Sequence, residues 1–183
     1  IGITSFYPSK NLGAFGDGGA IFTQNKKLAN KIKLIANHGQ NKKYNHQIIG
    51  LNSRLDAIQA AILSFKLTLL KEHNNKRQNF AKEYDSRLLD LDWVKTPVIR
   101  EGSDHIYHQY SIILHNRIIR KKFQAYLASK NIPTMIYYPI PLHKQKAYRI
   151  YHTKPLPVSE KISQQIISLP IHPAMDIEQI QFI

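Results

Sequence analysis

The chain has 183 residues, 43% of them hydrophobic and 21% charged, which is typical of a globular protein with an apolar core. Because it has no cysteine, disulfide bonds and thiolate metal sites are excluded, and we expect a cytoplasmic protein without a metal centre. No apolar run reaches the length that crosses a bilayer, so we expect no membrane partner.

The formal net charge of +14 raises the alternative of nucleic-acid binding. The basic residues are dispersed along the chain, however, and most of them fall on the polar faces of predicted helices. No zinc-ligand spacing, Gly-Arg tract or aromatic RNA-binding motif accompanies them. We therefore expect a solvated basic surface and no nucleic-acid partner, although the same charge would attract an anionic substrate such as a nucleotide diphosphate.

The first quarter of the chain predicts two short strands, over residues 1–6 and 19–23, with a glycine-rich loop between them. Asn25 then caps a helix whose apolar positions recur at helical spacing, and this helix ends near Gly39. Residues 40–49 are predicted to form a polar loop.

A long second helix follows. Ser53, with Asp56 three residues later, predicts its start, and we expect it to continue to about Leu89 because no Pro or Gly interrupts it. A helix of about 30 residues is about 45 Å long and commonly bridges two domains. We therefore predict a domain boundary near residues 75–90.

Strands and helices alternate in the remainder of the chain. Strands are predicted over residues 93–94, 107–114 and 132–138, and helices are predicted to begin at Asn116 and Ser159, the latter ending at Leu169-Pro170. This alternation favours a two-layer α/β domain.

Both ends of the sequence look interrupted. The strand predicted at Ile1 lacks a starting methionine, and a helix that Asp176 and Gln179 cap stops after two turns. We therefore expect the chain to be part of a longer protein.

Lys10 is the residue most indicative of function. It lies in the segment Ser5-Phe6-Tyr7-Pro8-Ser9-Lys10-Asn11-Leu12-Gly13, and further glycines follow at Gly16, Gly18 and Gly19. A primary amine in a glycine-lined turn can form a Schiff base with pyridoxal phosphate, and nearby serine hydroxyls can bind the phosphate. The alternative is a glycine hairpin between two strands, and this segment alone does not decide between them.

Two further segments present groups suited to a polar or anionic ligand. Asn52 lies beside the predicted N-terminus of the long helix, which favours a phosphate, and Arg54 can form paired hydrogen bonds with a carboxylate or diphosphate. Tyr137, Tyr138 and His143 surround a rigid Pro-Ile-Pro turn. We also expect Asn52 to cap this helix, a role that is compatible with binding a phosphate. For the tyrosines and the histidine, the alternative is a packed or surface position.

Together these segments resemble the DegT/DnrJ/EryC1/StrS family of nucleotide-sugar aminotransferases. The resemblance covers essentially the whole chain but only the C-terminal half of a family member. It implies an α/β fold of the aspartate-aminotransferase type, fold type I of pyridoxal phosphate-dependent transferases. Residues 1–80 would form the C-terminal part of the cofactor-binding large domain and the start of the linking helix, and residues 81–183 a small C-terminal α/β domain. The segments that resemble the family are 5–23, 37–39, 50–61, 137–148 and 169–173.

By this resemblance Lys10 is the catalytic Schiff-base lysine, and Ser5 binds the phosphate of the cofactor, pyridoxal 5′-phosphate. Asn52 would bind the phosphate of the cofactor in the neighbouring subunit, because the family builds its active sites at a homodimer interface. The aspartate that pairs with the pyridinium nitrogen belongs to the other half of a family member. We therefore expect the 183 residues alone to be inactive.

The same resemblance implies that Arg54, Tyr137, Tyr138 and His143 bind the substrate. The nearest members act on UDP-linked 3-keto-hexuronic acids for the O-antigen of lipopolysaccharide. Those members usually have His-Tyr before the Pro-x-Pro turn, where this chain has Tyr137-Tyr138.

The implied activity is transfer of an amino group from glutamate to a nucleotide-linked keto sugar. A sugar dehydratase of the same family is one alternative, but that enzyme has a histidine in the place of Lys10. A basic nucleic-acid-binding protein and a catalytically inactive fragment also stay open.

Overall fold

The computed structural model describes residues 1–151 and 154–183, and the chain divides into two units, Ile1–Glu72 and His73–Ile183. Within the described residues, no helix combines the length and the apolar character needed to span a bilayer. In the first unit, β1 (Gly2–Ser5) and β2 (Gly19–Phe22) pair in antiparallel fashion, which confirms the two predicted strands.

Helix α1 (Lys26–Ala36) begins as predicted after Asn25, whose side-chain oxygen accepts a hydrogen bond from the backbone N–H of Leu28 at 3.0 Å. The segment predicted as a polar loop contains a small antiparallel pair, β3 (Gln40–Lys42) and β4 (Asn45–His46). This pair carries polar side chains throughout, so it has no apolar alternation from which a strand could be predicted.

Helix α2 (Ala57–Leu88) is the predicted long helix and has 32 residues. The prediction that it starts at Ser53 was wrong. The backbone N–H of Ser53 donates to the carbonyl of Ala36 at 2.9 Å, so Ser53 lies in an extended segment before the helix. The carbonyl of Asp56 accepts the N–H of Ala60 at 2.9 Å, which makes Asp56 the residue at which the helical hydrogen bonds begin.

The second unit contains an antiparallel three-stranded sheet made of β5 (Val94–Lys95), β6 (Tyr110–Leu114) and β7 (Ile166–Leu169), with β6 in the centre. Strand β6 confirms the second half of the strand predicted over residues 107–114. Strand β7 was not predicted, because its apolar run was assigned to the preceding helix. That helix, here numbered α4 (Pro157–Gln165), starts two residues before Ser159 and ends where the strand begins.

The strand predicted over residues 132–138 was wrong. In this segment only Met135 pairs with the sheet, through an isolated bridge to Ser168. Two prolines, Pro133 and Pro139, flank the bridge, and proline cannot donate a ladder hydrogen bond.

The core of the second unit lies on one face of β6. Tyr110, Ile112 and Leu114 alternate along the strand and are all 0% exposed, because successive side chains of a strand point to opposite faces. Helices α3 (Arg117–Ser129) and α5 (Ile177–Phe182) contribute Leu127 and Ile180 to this core.

The helix caps predicted in the second unit are confirmed. The side chain of Asn116 accepts the N–H groups of Ile118 and Ile119 at the start of α3. Asp176 and Gln179 form a complete capping box at the start of α5.

We predict that Leu127→Ala lowers the free energy of unfolding by about 2–5 kcal/mol, because it removes a fully buried side chain and leaves a cavity. Leu127 is 1% exposed, whereas Leu89 is 79% exposed and supplies a matched control. Leu89→Ala should change the stability by no more than about 0.5 kcal/mol. Urea unfolding followed by circular dichroism measures both, and equal effects of the two changes would contradict the assignment of the core.

Candidate active site

The loop that joins β1 and β2 holds Lys10 on a closed turn. At the base of the loop Phe6 donates its N–H to the carbonyl of Gly18 at 2.7 Å, and its carbonyl accepts the N–H of Ala14 at 2.8 Å. Lys10 itself donates its backbone N–H to the carbonyl of Tyr7 at 2.8 Å and is half-buried. Hydrogen bonds therefore fix the backbone that carries the amine.

Glycine and serine shape the same turn. A Cβ atom on Gly13 would lie 2.4 Å from the carbonyl oxygen of Pro8, so only glycine allows this close approach. Ser5 is exposed at the end of β1, and its hydroxyl oxygen accepts the N–H of Tyr7 at 3.2 Å. A serine hydroxyl also has a proton to donate, so Ser5 can bind an anion next to this turn.

Two side chains of α2 contact the loop, and the sequence pattern indicated neither of them. The side-chain amide oxygen of Gln59 accepts a hydrogen bond from the backbone N–H of Phe15 at 2.8 Å. The ammonium group of Lys66 donates to the carbonyl of Gly13 at 2.8 Å and lies 4.9 Å from the ring centroid of Phe15. No local motif marks these residues, because polar positions on a helix are ordinary and their partners lie 44 and 53 residues away.

Asn52 lies in an extended segment and does not cap a helix, so the prediction of a cap was wrong. Asn52 and Asn37 form an isolated antiparallel bridge, and the N–H of His38 donates to the carbonyl of Leu51 at 2.8 Å. Because α2 starts at Ala57, the free N–H groups at its first turn lie beyond Asn52. The exposed carboxamide of Asn52 can therefore offer an anion its own N–H groups, without the helix dipole.

Arg54 is exposed, and one of its nitrogens, Nη1, donates to the side-chain oxygen of Asn37 at 3.0 Å. A guanidinium group has five N–H donors in a rigid plane. One bond to Asn37 therefore orients the group while further donors can reach a ligand. Asn37 thus connects the two polar residues that the sequence pattern singled out in this segment, Asn52 and Arg54.

The remaining predicted residues belong to the second unit. Tyr137 is half-buried, Tyr138 is 73% exposed, and their ring centroids lie 5.8 Å apart in an edge-on arrangement. The peptide bond between them is cis. Both tyrosines line a cavity of about 900 Å³ that also contacts Leu142, His143 and Tyr148.

The ring of His143 is bound by a carboxylate. Its Nε2 atom lies 3.0 Å from Oε1 of Glu160, and the side chain is 9% exposed. The ammonium group of Lys144 lies 2.5 Å from the other oxygen of Glu160, and the N–H of Leu156 donates to Oε1 at 3.2 Å. The hydrogen bond with Lys144 and, to a smaller extent, the one with His143 lower the pKa of Glu160 from 4.5 to about 2. His143 therefore forms part of the cavity wall with its ring held in place.

The seven predicted site residues fall into three local groups. Ser5 and Lys10 share the β1–β2 loop, and Asn52 and Arg54 share the segment bound to Asn37. The tyrosines and the histidine form the third group, in the second unit. Each of the first two groups suits an anionic ligand, because the first offers a primary amine and a hydroxyl and the second a carboxamide and a guanidinium.

Comparison with known proteins gives one family match and several close relatives. The family model described as the DegT/DnrJ/EryC1/StrS aminotransferase family matches residues 1–183. The UDP-2-acetamido-2-deoxy-3-oxo-D-glucuronate aminotransferase of Pseudomonas aeruginosa is 45% identical over 183 residues, which is 100% of this chain and 50% of that protein. The chain spans about half the length of the curated relatives that it matches.

Solved structures confirm the predicted fold class. The crystal structure of S. venezuelae DesV in complex with a ketimine intermediate is 37% identical, with a TM-score of 0.93 over 98% of this chain and 48% of that one. NtdA from Bacillus subtilis, with its bound cofactor PMP, is 32% identical, with a TM-score of 0.88 over 97% of this chain and 42% of that one.

We predict that in Glu160→Gln the free energy of unfolding falls less steeply than in the wild type as the pH is lowered from about 4.5 to about 2. Because the folded protein holds the pKa of Glu160 near 2, the ionised carboxylate stabilises the fold above the ordinary carboxyl pKa of 4.5. That contribution is lost as the pH falls from about 4.5 to about 2.

The wild-type protein should therefore lose more stability than Glu160→Gln over this pH range, as measured by urea unfolding at a series of pH values. Glu101→Gln, which changes an exposed glutamate in a loop, is the control and should follow the wild type. Parallel curves for wild type and Glu160→Gln would contradict the three contacts assigned to Glu160.

Proposed function

Because the chain belongs to the DegT/DnrJ/EryC1/StrS aminotransferase family, we propose that the whole protein is a pyridoxal 5′-phosphate-dependent sugar aminotransferase. It moves an amino group from glutamate to a nucleotide-linked keto sugar. The observation that carries this proposal is the half-buried residue Lys10 on a closed, glycine-lined turn. A relative that acts on a UDP-linked 3-oxo-glucuronate supports a substrate of that class.

The residues of the β1–β2 loop fit such a cofactor. Gly13 has no Cβ, which would clash with the turn. The hydroxyl of Ser5 and the backbone N–H of Lys10 both form hydrogen bonds with Tyr7. Bound pyridoxal phosphate would supply an aldehyde that condenses with primary amines and a ring that withdraws electrons. Lys10 would hold that aldehyde carbon, and its neutral amine would move a proton to and from the carbon next to the substrate nitrogen.

Ser5 and Asn52 bind the phosphate by donating hydrogen bonds from a hydroxyl and a carboxamide. In this proposal Asn52 serves the active site of the partner in a homodimer. Its exposed position in the first unit is compatible with contact to a second chain.

Arg54, Tyr137, Tyr138 and His143 form the substrate site in this proposal. Arg54 binds the diphosphate, because its guanidinium is exposed and oriented by Asn37. The two tyrosines offer hydroxyl groups and ring faces to the sugar nucleotide from the wall of the cavity. His143 holds that wall in place, since its ring is bound to Glu160.

The two units take the roles expected of the family's domains. The first unit is the end of the cofactor-binding large domain, and the second is the small C-terminal domain. The product is an amino sugar for the O-antigen of lipopolysaccharide, made in the cytoplasm. The net charge of +14 supports binding of an anionic sugar nucleotide.

We predict that Lys10→Ala in the whole protein abolishes covalent attachment of the cofactor and lowers transamination by about 10²–10⁴-fold, because it removes both the attachment point and the proton carrier. Borohydride reduction followed by peptide mapping locates the labelled lysine. Lys26→Ala, which changes an exposed lysine on α1, is the control and should retain the label and the activity. Reduction of the cofactor onto another lysine in the wild type would refute the proposal.

We also predict that Arg54→Met raises the KM for the nucleotide sugar by about 10- to 100-fold, the effect of losing a charged hydrogen bond, and leaves the KM for glutamate unchanged. Arg100→Met, at an exposed position in a loop, is the matched control. Steady-state kinetics with each substrate varied in turn separates the two constants. An equal rise in both KM values would argue against a diphosphate contact.

A further inference from the structure

We propose that Gln59 and Lys66 are positioning residues that hold the Lys10 loop in the orientation in which the amine reaches the cofactor. This inference rests on the proposed function and deepens it, because it identifies what aligns the reactive amine. Neither side chain touches the cofactor or the substrate in this proposal. They act through the backbone of residues 13–15.

The two residues lie on the same face of α2. Seven residues separate them, which corresponds to two turns and about 10.5 Å along the helix axis. Leu63 lies between them on this face and is 6% exposed, and Ala14 of the loop is fully buried. The face of α2 that carries Gln59 and Lys66 therefore also carries a buried apolar side chain of the first unit.

Each residue of the segment 13–15 has one backbone group bound. Lys66 donates to the carbonyl of Gly13, Phe6 accepts the N–H of Ala14, and Gln59 accepts the N–H of Phe15. Helix α2 thus supplies one donor, Lys66, and one acceptor, Gln59, to the loop. Their contacts at residues 13 and 15 flank the hydrogen bond from Ala14 to Phe6 at the base of the loop. This complementarity fixes both the position and the direction of the backbone in this segment.

The restraint reaches Lys10 through Gly13. The position of a Cβ on Gly13 is 2.4 Å from the carbonyl oxygen of Pro8 and 2.9 Å from that of Tyr7. Tyr7 and Pro8 belong to the turn that the backbone N–H of Lys10 closes. Because Gly13 abuts this turn directly, a shift of Gly13 displaces the backbone that carries the amine. A misplacement of about 1 Å can reduce a reaction rate by about 10²-fold.

The experiment compares truncating and conservative variants in the whole protein with its cofactor. Gln59→Leu removes the acceptor and Lys66→Met removes the donor, whereas Gln59→Glu and Lys66→Arg keep them. Lys71→Met, an exposed position on the same helix, repeats the Lys-to-Met change away from the loop. Three quantities are measured: amide hydrogen exchange over residues 11–18, the rate of cofactor loss from Lys10, and the melting temperature.

We expect Gln59→Leu and Lys66→Met to exchange the loop amides about tenfold faster and to lose the cofactor about tenfold faster. Gln59→Glu, Lys66→Arg and Lys71→Met should stay within about twofold of the wild type. Recovery with the conservative variants at an unchanged melting temperature distinguishes positioning of the loop from a general effect on stability.

Wild-type exchange and cofactor loss in both truncating variants would overturn the inference. So would conservative variants that behave like the truncating ones and lower the melting temperature equally. If the wild-type protein carries the cofactor on Lys10 in those cases, only this inference fails. If the wild-type protein carries no cofactor on Lys10, the proposed function fails with it.

Discussion

The hydrogen bonds that hold the β1–β2 loop are the constraint on which the candidate site depends. A lysine side chain has a flexible four-carbon stem, so the amine of Lys10 is directed only if the backbone beneath it is fixed. Backbone hydrogen bonds of Phe6 close the base of the loop, and the bond from Lys10 to Tyr7 closes the turn. Gly13, which has no Cβ, allows the backbone at the base of the loop to approach this turn. The contacts from α2 complete this arrangement through residues 13–15.

Helix α2 contributes to each unit in a different way. Its first half presents polar side chains to the backbone of the Lys10 loop, whereas its second half buries Phe80, Ala81 and Tyr84 in the core of the second unit. Arg77, in this second half, is 5% exposed and donates hydrogen bonds to the carbonyls of Tyr107 and Ile171. Burial lowers the pKa of this guanidinium, and the carbonyl bonds offset part of the cost of burying it.

Several site residues have a structural partner that a sequence pattern does not reveal. His143 lies beside the Pro-Ile-Pro turn, yet its ring is bound by Glu160, 17 residues further along the chain. Asn52 was expected to cap a helix, yet it pairs with Asn37. In both cases the local chemistry was recognised, but the partner is distant in sequence and no periodicity specifies it. A role for either residue in ligand binding therefore has to accommodate these contacts.

The sequence by itself determined the features whose partners lie within one helical turn or one strand. Asn25, Asn116 and the Asp176–Gln179 pair cap their helices within three residues, and β6 buries alternate side chains because its period is two. Tertiary structure decided that the apolar run Ile166–Leu169 forms strand β7, since this run is a strand through its pairing with β6. It also decided which side chains hold the loop of Lys10. Those contacts depend on where α2 lies in space, because the free energy of a pairing across 44 or 53 residues is set by the folded core rather than by neighbouring residues.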